Sequence, residues 1–173
     1  MANTHGVVNT THCACWDVDS YNFAGIYKAG DLDNGTFVAL GDIMNTDGKI
    51  DEYTFEVTPD ANGTSDMKYI VDSPVRGINV ETQIMDDPRY FYIPAGKTAS
   101  IKRLVKGDCV EIDANAMTEG ATPVEQPTYK LASIGATGKL QMVQTGGSFK
   151  LVGSVDRGYG QEVITHYVFM LMA

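Results

Sequence analysis

The chain has 173 residues, 43% of them hydrophobic and 20% charged, which excludes an intrinsically disordered protein and fits one domain with its own core. Acidic residues outnumber basic ones by 22 to 13, so the formal net charge at pH 7 is −9. A surface of this sign repels phosphate backbones, and nucleic acid is therefore excluded as the expected main partner.

Residues 1–20 predict an extended N-terminal arm. The segment is polar and shows neither the period of a strand nor that of a helix, so we expect it to be mobile in the free protein and ordered against a neighbour. It contains Trp16, the single tryptophan, which either pins the arm to the body or contacts a partner. The segment lacks the basic and apolar regions of a secretory signal, and a protein made in the cytoplasm is expected.

Two histidines and two cysteines in this arm are candidate metal ligands: His5, His12, Cys13 and Cys15. Imidazole and thiolate are the groups that zinc prefers. Zinc sites usually join two separated pairs of ligands, however, whereas these four residues lie in one short segment. The third cysteine is Cys109, and an odd number of cysteines does not form a disulfide framework. The favoured interpretation is reduced thiols with no special role, so we predict no cofactor and no metal, and these four residues are the candidates if a metal site exists.

From residue 21 onward the sequence predicts β-strands separated by tight turns. The stretch TFVALGDI follows the turn signal Asn34-Gly35, and IDEYTFEV follows a second turn, NTDGK. Strict alternation along the latter stretch assigns one face to Tyr53, Phe55 and Val57. The stretches KYIVD and IPAGKTASIKRLVKGDCVEI continue the pattern of short strands and glycine turns.

Residues 73–90 interrupt this pattern and predict an irregular or short helical insertion, with a helical turn around Val80–Met85. The insertion ends on an aromatic triplet, Tyr90, Phe91 and Tyr92. Exposed, such a triplet would form a binding surface, and buried, it would belong to the core. Both interpretations remain open from the sequence.

The last third of the chain predicts regular strands with glycine-rich turns, as in a β-sandwich or a β-barrel. Its final stretch, EVITHYVFMLM, has large apolar side chains on both faces. We expect Tyr167 to Met172 to be almost fully buried, with one face in the body and the other under a second layer or a subunit. The stretch is too short to span a bilayer, which needs about 20 apolar residues, so no membrane contact is expected.

No catalytic arrangement is recognisable in the sequence. A general base needs a nucleophile and an orienting group nearby, and neither accompanies His5, His12 or His166. The interpretation favoured for His166 is a buried or interface histidine with one hydrogen bond. We therefore do not expect an enzyme.

The predicted fold is a compact antiparallel all-β barrel or sandwich (β-tulip-like) over residues 21–173, preceded by the arm. With NGTFVALGDI, IPAGKTASIKRLVKGDCVEI and GKLQMVQTGGSFKLVGSVDRGYGQ, this acidic body resembles the head decoration, or cement, proteins of tailed bacteriophages. The resemblance implies a structural virion protein that binds the outer capsid surface, contacts the major capsid protein, often forms a homotrimer and stabilises the assembled head. It implies assembly in the host cytoplasm and no catalytic residues.

The alternative is a carbohydrate- or receptor-binding β-sandwich module of a phage tail or fibre. Both functions need aromatic side chains at an interface. The candidates for that role are Trp16, Tyr90, Phe91, Tyr92, Tyr167 and Phe169.

Overall fold

The structure, a computed structural model, describes residues 5–46, 49–75, 87–159 and 162–172, with backbone alone at 46 and 49–52. It confirms the all-β prediction, because helical structure in these ranges is confined to 3-10 turns of three residues. The strands in chain order are β1 Val8–His12, β2 Asn22–Ile26, β3 Phe37–Thr46, β4 Lys49–Pro59, β5 Lys68–Val71, β6 Thr98–Leu104, β7 Cys109–Ile112, β8 Leu131–Ile134, β9 Leu140–Val143, β10 Phe149–Tyr159 and β11 Glu162–Leu171.

The strands form two β units that pack on each other. One is a six-stranded sheet in the order β1-β7-β11-β10-β8-β9, and the other is a closed barrel in the order β2-β4-β3-β5-β6. The sheet is antiparallel throughout, as expected, but β2 and β4 of the barrel run parallel. A parallel pair requires a long connection, and here β3 and its loops supply it.

The alternation of side chains along the barrel strands builds two cores at once. On β3, Phe37 points into the core between sheet and barrel, and the next residue, Val38, points into the barrel interior. Ile70 and Val71 on β5 divide in the same way. Because successive side chains of a strand face opposite sides, one wall of the barrel serves both cores.

The described part of the N-terminal segment, from residue 5 onward, contacts the body. Strand β1 pairs with β7, and Cys13 and Cys15 are buried in the core between sheet and barrel. The ring of His5 stacks on Tyr92 with 4.9 Å between centroids, and its Nδ1 lies 2.8 Å from Asp33 Oδ1. Some polar side chains of the segment bond to the body, Asn9 to Glu111 and Thr10 to Asp72, whereas Thr11 and His12 are exposed.

The β10–β11 hairpin confirms part of the expectation for the C-terminal stretch. Tyr167, Phe169 and Leu171 are buried in the core between sheet and barrel. The opposite face is only half-covered at Val168 and Met170, so the expected burial of both faces is not found in the single chain. Strand β10 extends to Tyr159.

The ends of the predicted insertion, residues 73–75 and 87–90, contain no strand or helix, in agreement with an irregular segment. The helical turn expected around Val80–Met85 lies outside the described residues.

Candidate functional site

The structure separates the six aromatic candidates by burial. Phe91 is buried in the barrel interior, and Tyr167 and Phe169 are buried in the other core. Tyr90 and Tyr92 are half-buried, Tyr90 with the Arg89 guanidinium 5.7 Å from its ring centroid. Trp16 is the exposed member of the set, with 58% of its surface accessible. Among the six, it is therefore the residue that is ready to contact a partner.

The local backbone explains why this large apolar side chain points outward. Ala14–Trp16 is a 3-10 turn, closed by bonds from Cys13 N to Thr10 O at 3.0 Å and from Trp16 N to Cys13 O at 3.2 Å. Asp108 Oδ1 accepts a further bond from Ala14 N at 3.0 Å. Since the turn directs Cys15 into the core, the following side chain projects from the surface.

Two hydrogen bonds in series hold the indole. Trp16 Nε1 donates to Thr10 Oγ1 at 3.0 Å, and the Thr10 hydroxyl donates to Asp72 Oδ2. Asp72 follows β5 and is anchored by its own N–H, which donates to Ser100 O at 3.0 Å. Burial raises the pKa of Asp72, against the opposing effects of the Thr10 hydrogen bond and the nearby Lys102 charge. The indole N–H is thus bonded to the buried Thr10 hydroxyl, which Asp72 holds in turn.

A cation covers part of the Trp16 ring. Lys102 Nζ on β6 lies 4.9 Å from the ring centroid, within the range of a cation–π interaction. The same ammonium donates to Asn22 Oδ1 at 2.8 Å, and Asn22 Nδ2 donates to Cys15 O at 2.8 Å. These contacts tie the loop that carries Trp16 to the first residue of β2 and to β6. The platform made by Trp16, Thr10, Asp72, Lys102 and Asn22 is hereafter called the Trp16 site.

Sequence reasoning found Trp16 but missed its four supports. Thr10, Asn22, Asp72 and Lys102 come from separate segments, and no local pattern links them. They meet because β1, β2, β5 and β6 converge beside the N-terminal segment. Only the long-range pairing of the strands brings them together.

The four metal candidates do not form a site. Among the described residues, no group of three or more His, Cys, Asp or Glu side chains is arranged to hold a metal ion. His5 binds Asp33, and His12 is exposed. Burial, together with the charge of Asp108, raises the pKa of Cys13, and burial likewise raises the pKa of Cys15.

His166 is buried with one hydrogen bond, as the favoured interpretation required. Its Nε2 lies 3.1 Å from the Tyr159 hydroxyl, and the two rings stack with centroids 5.8 Å apart. Its Nδ1 has no hydrogen-bond partner among the described residues. Burial lowers the pKa of the imidazole, which keeps it neutral.

The structure also contains a groove that Trp16 and its four supporting residues do not line. This open groove of about 870 Å³ lies between the loop after β7 and the turn before β9, and Tyr167 contributes to its wall. The Lys139 ammonium at its side is already bound, by Asp33 Oδ2 at 3.0 Å and Asn115 O at 2.9 Å. Threonine hydroxyls and two glutamates supply most of its polar lining.

Comparison of the chain with models of protein families, with curated proteins and with solved structures finds no match. No helix within the described ranges is long and apolar enough to cross a membrane. The geometry of the Trp16 site is therefore the basis for the functional argument.

Proposed function

We propose that the protein is a structural virion protein that docks on the outer surface of an assembled bacteriophage capsid, with the Trp16 site as an anchor. The observation that carries the proposal is the exposed indole held by Thr10 and covered by Lys102. A large aromatic side chain that projects from the surface and is fixed there serves recognition, since a few such residues dominate the binding energy of interfaces.

The fixation of the ring supports docking in particular. Ordering a side chain at an interface costs roughly 0.5–1.5 kcal/mol of conformational free energy. Trp16 is already ordered by its hydrogen bond to Thr10 and by the Lys102 ammonium, so binding of a partner does not have to order the ring. The same fixation has no evident use in packing, because the ring lies outside both cores.

The choice of a capsid as partner comes from the resemblance to decoration proteins, which also suggests a homotrimer bound to the major capsid protein. A trimer that contacts several capsid subunits gains avidity, because each further contact is intramolecular. We therefore expect tight binding to assembled shells, weak binding to isolated capsid subunits and no binding to duplex DNA. No catalytic step belongs to this role.

The test is co-sedimentation of the protein with capsid shells, with isolated capsid subunits and with duplex DNA. Trp16→Ala should reduce the affinity for shells about tenfold or more, the size of effect that a hot-spot aromatic produces. The matched control is Val163→Ala, because Val163 is 70% exposed and lies on the distant β10–β11 hairpin. Unchanged shell binding by Trp16→Ala would contradict the role of the site, and absence of wild-type binding would contradict the function.

A carbohydrate- or receptor-binding module is the second candidate, and the exposed face of Trp16 favours it because sugars stack on indole rings. Trp16 is the single tryptophan of the chain, so its fluorescence reports on this site alone. Titration with oligosaccharides of the host cell surface should leave the emission unchanged if the capsid function holds. A saturable change that Trp16→Ala abolishes would favour the carbohydrate-binding module.

A further inference from the structure

Asn22 and Lys102 of the Trp16 site lie near one end of the barrel, where several strands begin or end together. Asn22, the first residue of β2, pairs with Lys102, and Tyr69 near the start of β5 pairs with Arg103 near the end of β6. Strand β4 passes the same end, because Thr54 pairs with Ala24. This end of the barrel is called the mouth below.

Three aromatic rings form the floor of the mouth. Phe23 packs edge-to-face on Phe55, with ring centroids 5.8 Å apart, and on Tyr69, with centroids 5.4 Å apart. All three side chains rest on the core of the barrel and are only half-buried. The barrel interior therefore ends in an apolar surface that solvent reaches.

Large apolar side chains stand around this floor. Trp16, Tyr53 and Met67 are 58%, 72% and 48% exposed, and all three belong to segments at the mouth. Met67 precedes β5, and its Sδ accepts a hydrogen bond from the Tyr69 hydroxyl at 3.2 Å. Tyr53 directly precedes Thr54, which is paired with β2.

Tyr53 is held in an unusual backbone conformation. Its φ is +54°, a left-handed value that costs free energy in a bulky side chain. The conformation interrupts the alternation of β4, so Tyr53 does not share the inward face of Phe55 and Val57 that the sequence predicted. Tyr53 thus combines backbone strain with an exposed ring. We expect this combination in a residue that is kept for binding a partner and not for stability.

The mouth also carries cations in a chain whose net charge is −9. The Arg103 guanidinium lies 4.9 Å from the centroid of the Tyr21 ring, and Lys102 covers Trp16. Neither cation forms an ion pair within the described parts of the chain, and Arg103 Nε is a buried donor without a partner there. A carboxylate from a partner would complement the Arg103 charge, whereas Lys102 already lies near Asp72.

We propose that the docking surface extends from Trp16 across the mouth and receives a protein segment that presents an apolar side chain beside a carboxylate. Trp, Tyr, Met and Arg are the residue types enriched in protein interfaces, and they make up this surface. Asp17 and Asp19 follow Trp16 in the chain, so the carboxylate of the partner belongs on the Arg103 side. The inference rests on the proposed docking function and names its contact surface and the chemistry of its partner.

The test uses Tyr53, because one substitution separates binding from stability. Tyr53→Gly removes the ring and relieves the left-handed strain, so its melting temperature should be equal to or above that of the wild type. Its affinity for assembled shells should fall about tenfold in co-sedimentation. Tyr53→Phe keeps the ring and should bind as the wild type does. Val163→Ala again provides the control for an exposed apolar residue elsewhere.

The outcomes distinguish this inference from the function on which it rests. If the wild type binds shells and Tyr53→Gly binds equally well, the mouth is not the docking surface, although the function stands. If the wild type does not bind shells, the function and the inference both fail. If Tyr53→Gly changes the oligomeric state of the free protein in analytical ultracentrifugation while the affinity per subunit is unchanged, the surface joins copies of this chain and the inference is overturned.

Discussion

At the scale of single residues, the position of Trp16 depends on one hydroxyl group. Thr10 accepts the bond from the indole and donates to the Asp72 carboxylate, so it is the link between the exposed ring and the half-buried acid. Thr10 is itself buried, although it belongs to a polar stretch of sequence. Its side chain is therefore satisfied entirely within the protein.

Thr10→Val preserves the shape of this residue and removes its hydroxyl. We expect a loss of about 1–3 kcal/mol in the free energy of unfolding, because the half-buried Asp72 carboxylate loses its hydrogen bond from the buried Thr10 hydroxyl. Urea denaturation measures the loss, and lower fluorescence anisotropy of Trp16 would report the freed ring. Thr11→Val is the matched control, since the neighbouring Thr11 is exposed. Equal stability of the two variants would show that the Thr10 bond contributes nothing.

His166 predicts how stability depends on pH. Burial is the main reason that its pKa lies below the ordinary 6.5, with Arg157 acting in the same direction and Asp113 and Glu111 against it. As the pH falls below about 6.5, the unfolded chain takes up the proton before the folded one. The contribution of His166 is therefore complete above that pH and declines below it.

The measurement is the free energy of unfolding between pH 7.5 and 5 for the wild type, His166→Gln and His12→Gln. The wild type and the His12→Gln control, whose histidine is exposed, should lose stability with the same slope as the pH falls. In His166→Gln the free energy of unfolding should fall less steeply with falling pH, because the contribution of His166 is absent. An identical slope in all three proteins would show that His166 does not titrate differently on folding.

At the scale of elements, the strands after residue 21 were predictable, and the N-terminal segment was not. Alternation is clearest on β6, where Ala99 and Ile101 lie in the core of the barrel and Ser100 and Lys102 are only half-buried. Strand β1 has no such pattern: Thr11 and His12 are exposed, and Asn9 donates to Glu111 across the strand pair at 3.1 Å. Its placement follows from bonds to distant residues, and a local pattern does not encode them.

Removal of residues 1–20 should therefore destabilise the body instead of leaving it intact. The deletion takes β1 away from β7 and exposes the core that Cys13 and Cys15 cover. We expect non-cooperative unfolding and binding of a hydrophobic dye to the truncated chain. Deletion of residues 1–4 alone keeps every contact described above and provides the control. A cooperative transition of wild-type midpoint in the longer deletion would restore the interpretation of an independent arm.

At the scale of the whole molecule, the six-stranded sheet and the barrel share a core through one barrel wall. The N-terminal segment joins them, since β1 belongs to the sheet and the turn at Trp16 lies against β6. The docking surface proposed above therefore lies where the segment crosses the barrel. Sequence alone identified the aromatic residue, the β class and the acidic charge. The mouth could not be predicted from the sequence, because it forms only when the barrel closes and brings residues of five segments together.

Hydroxyl-radical footprinting of Trp16 on shells tests the central claim most directly. Mass spectrometry would compare the oxidation rate of Trp16 in the free protein and in the protein bound to assembled capsid shells, with the peptide that contains Val163 as internal reference. We expect strong protection of Trp16 in the bound state and an unchanged rate at Val163. Protein that sediments with shells while Trp16 is oxidised as fast as in the free state would contradict it.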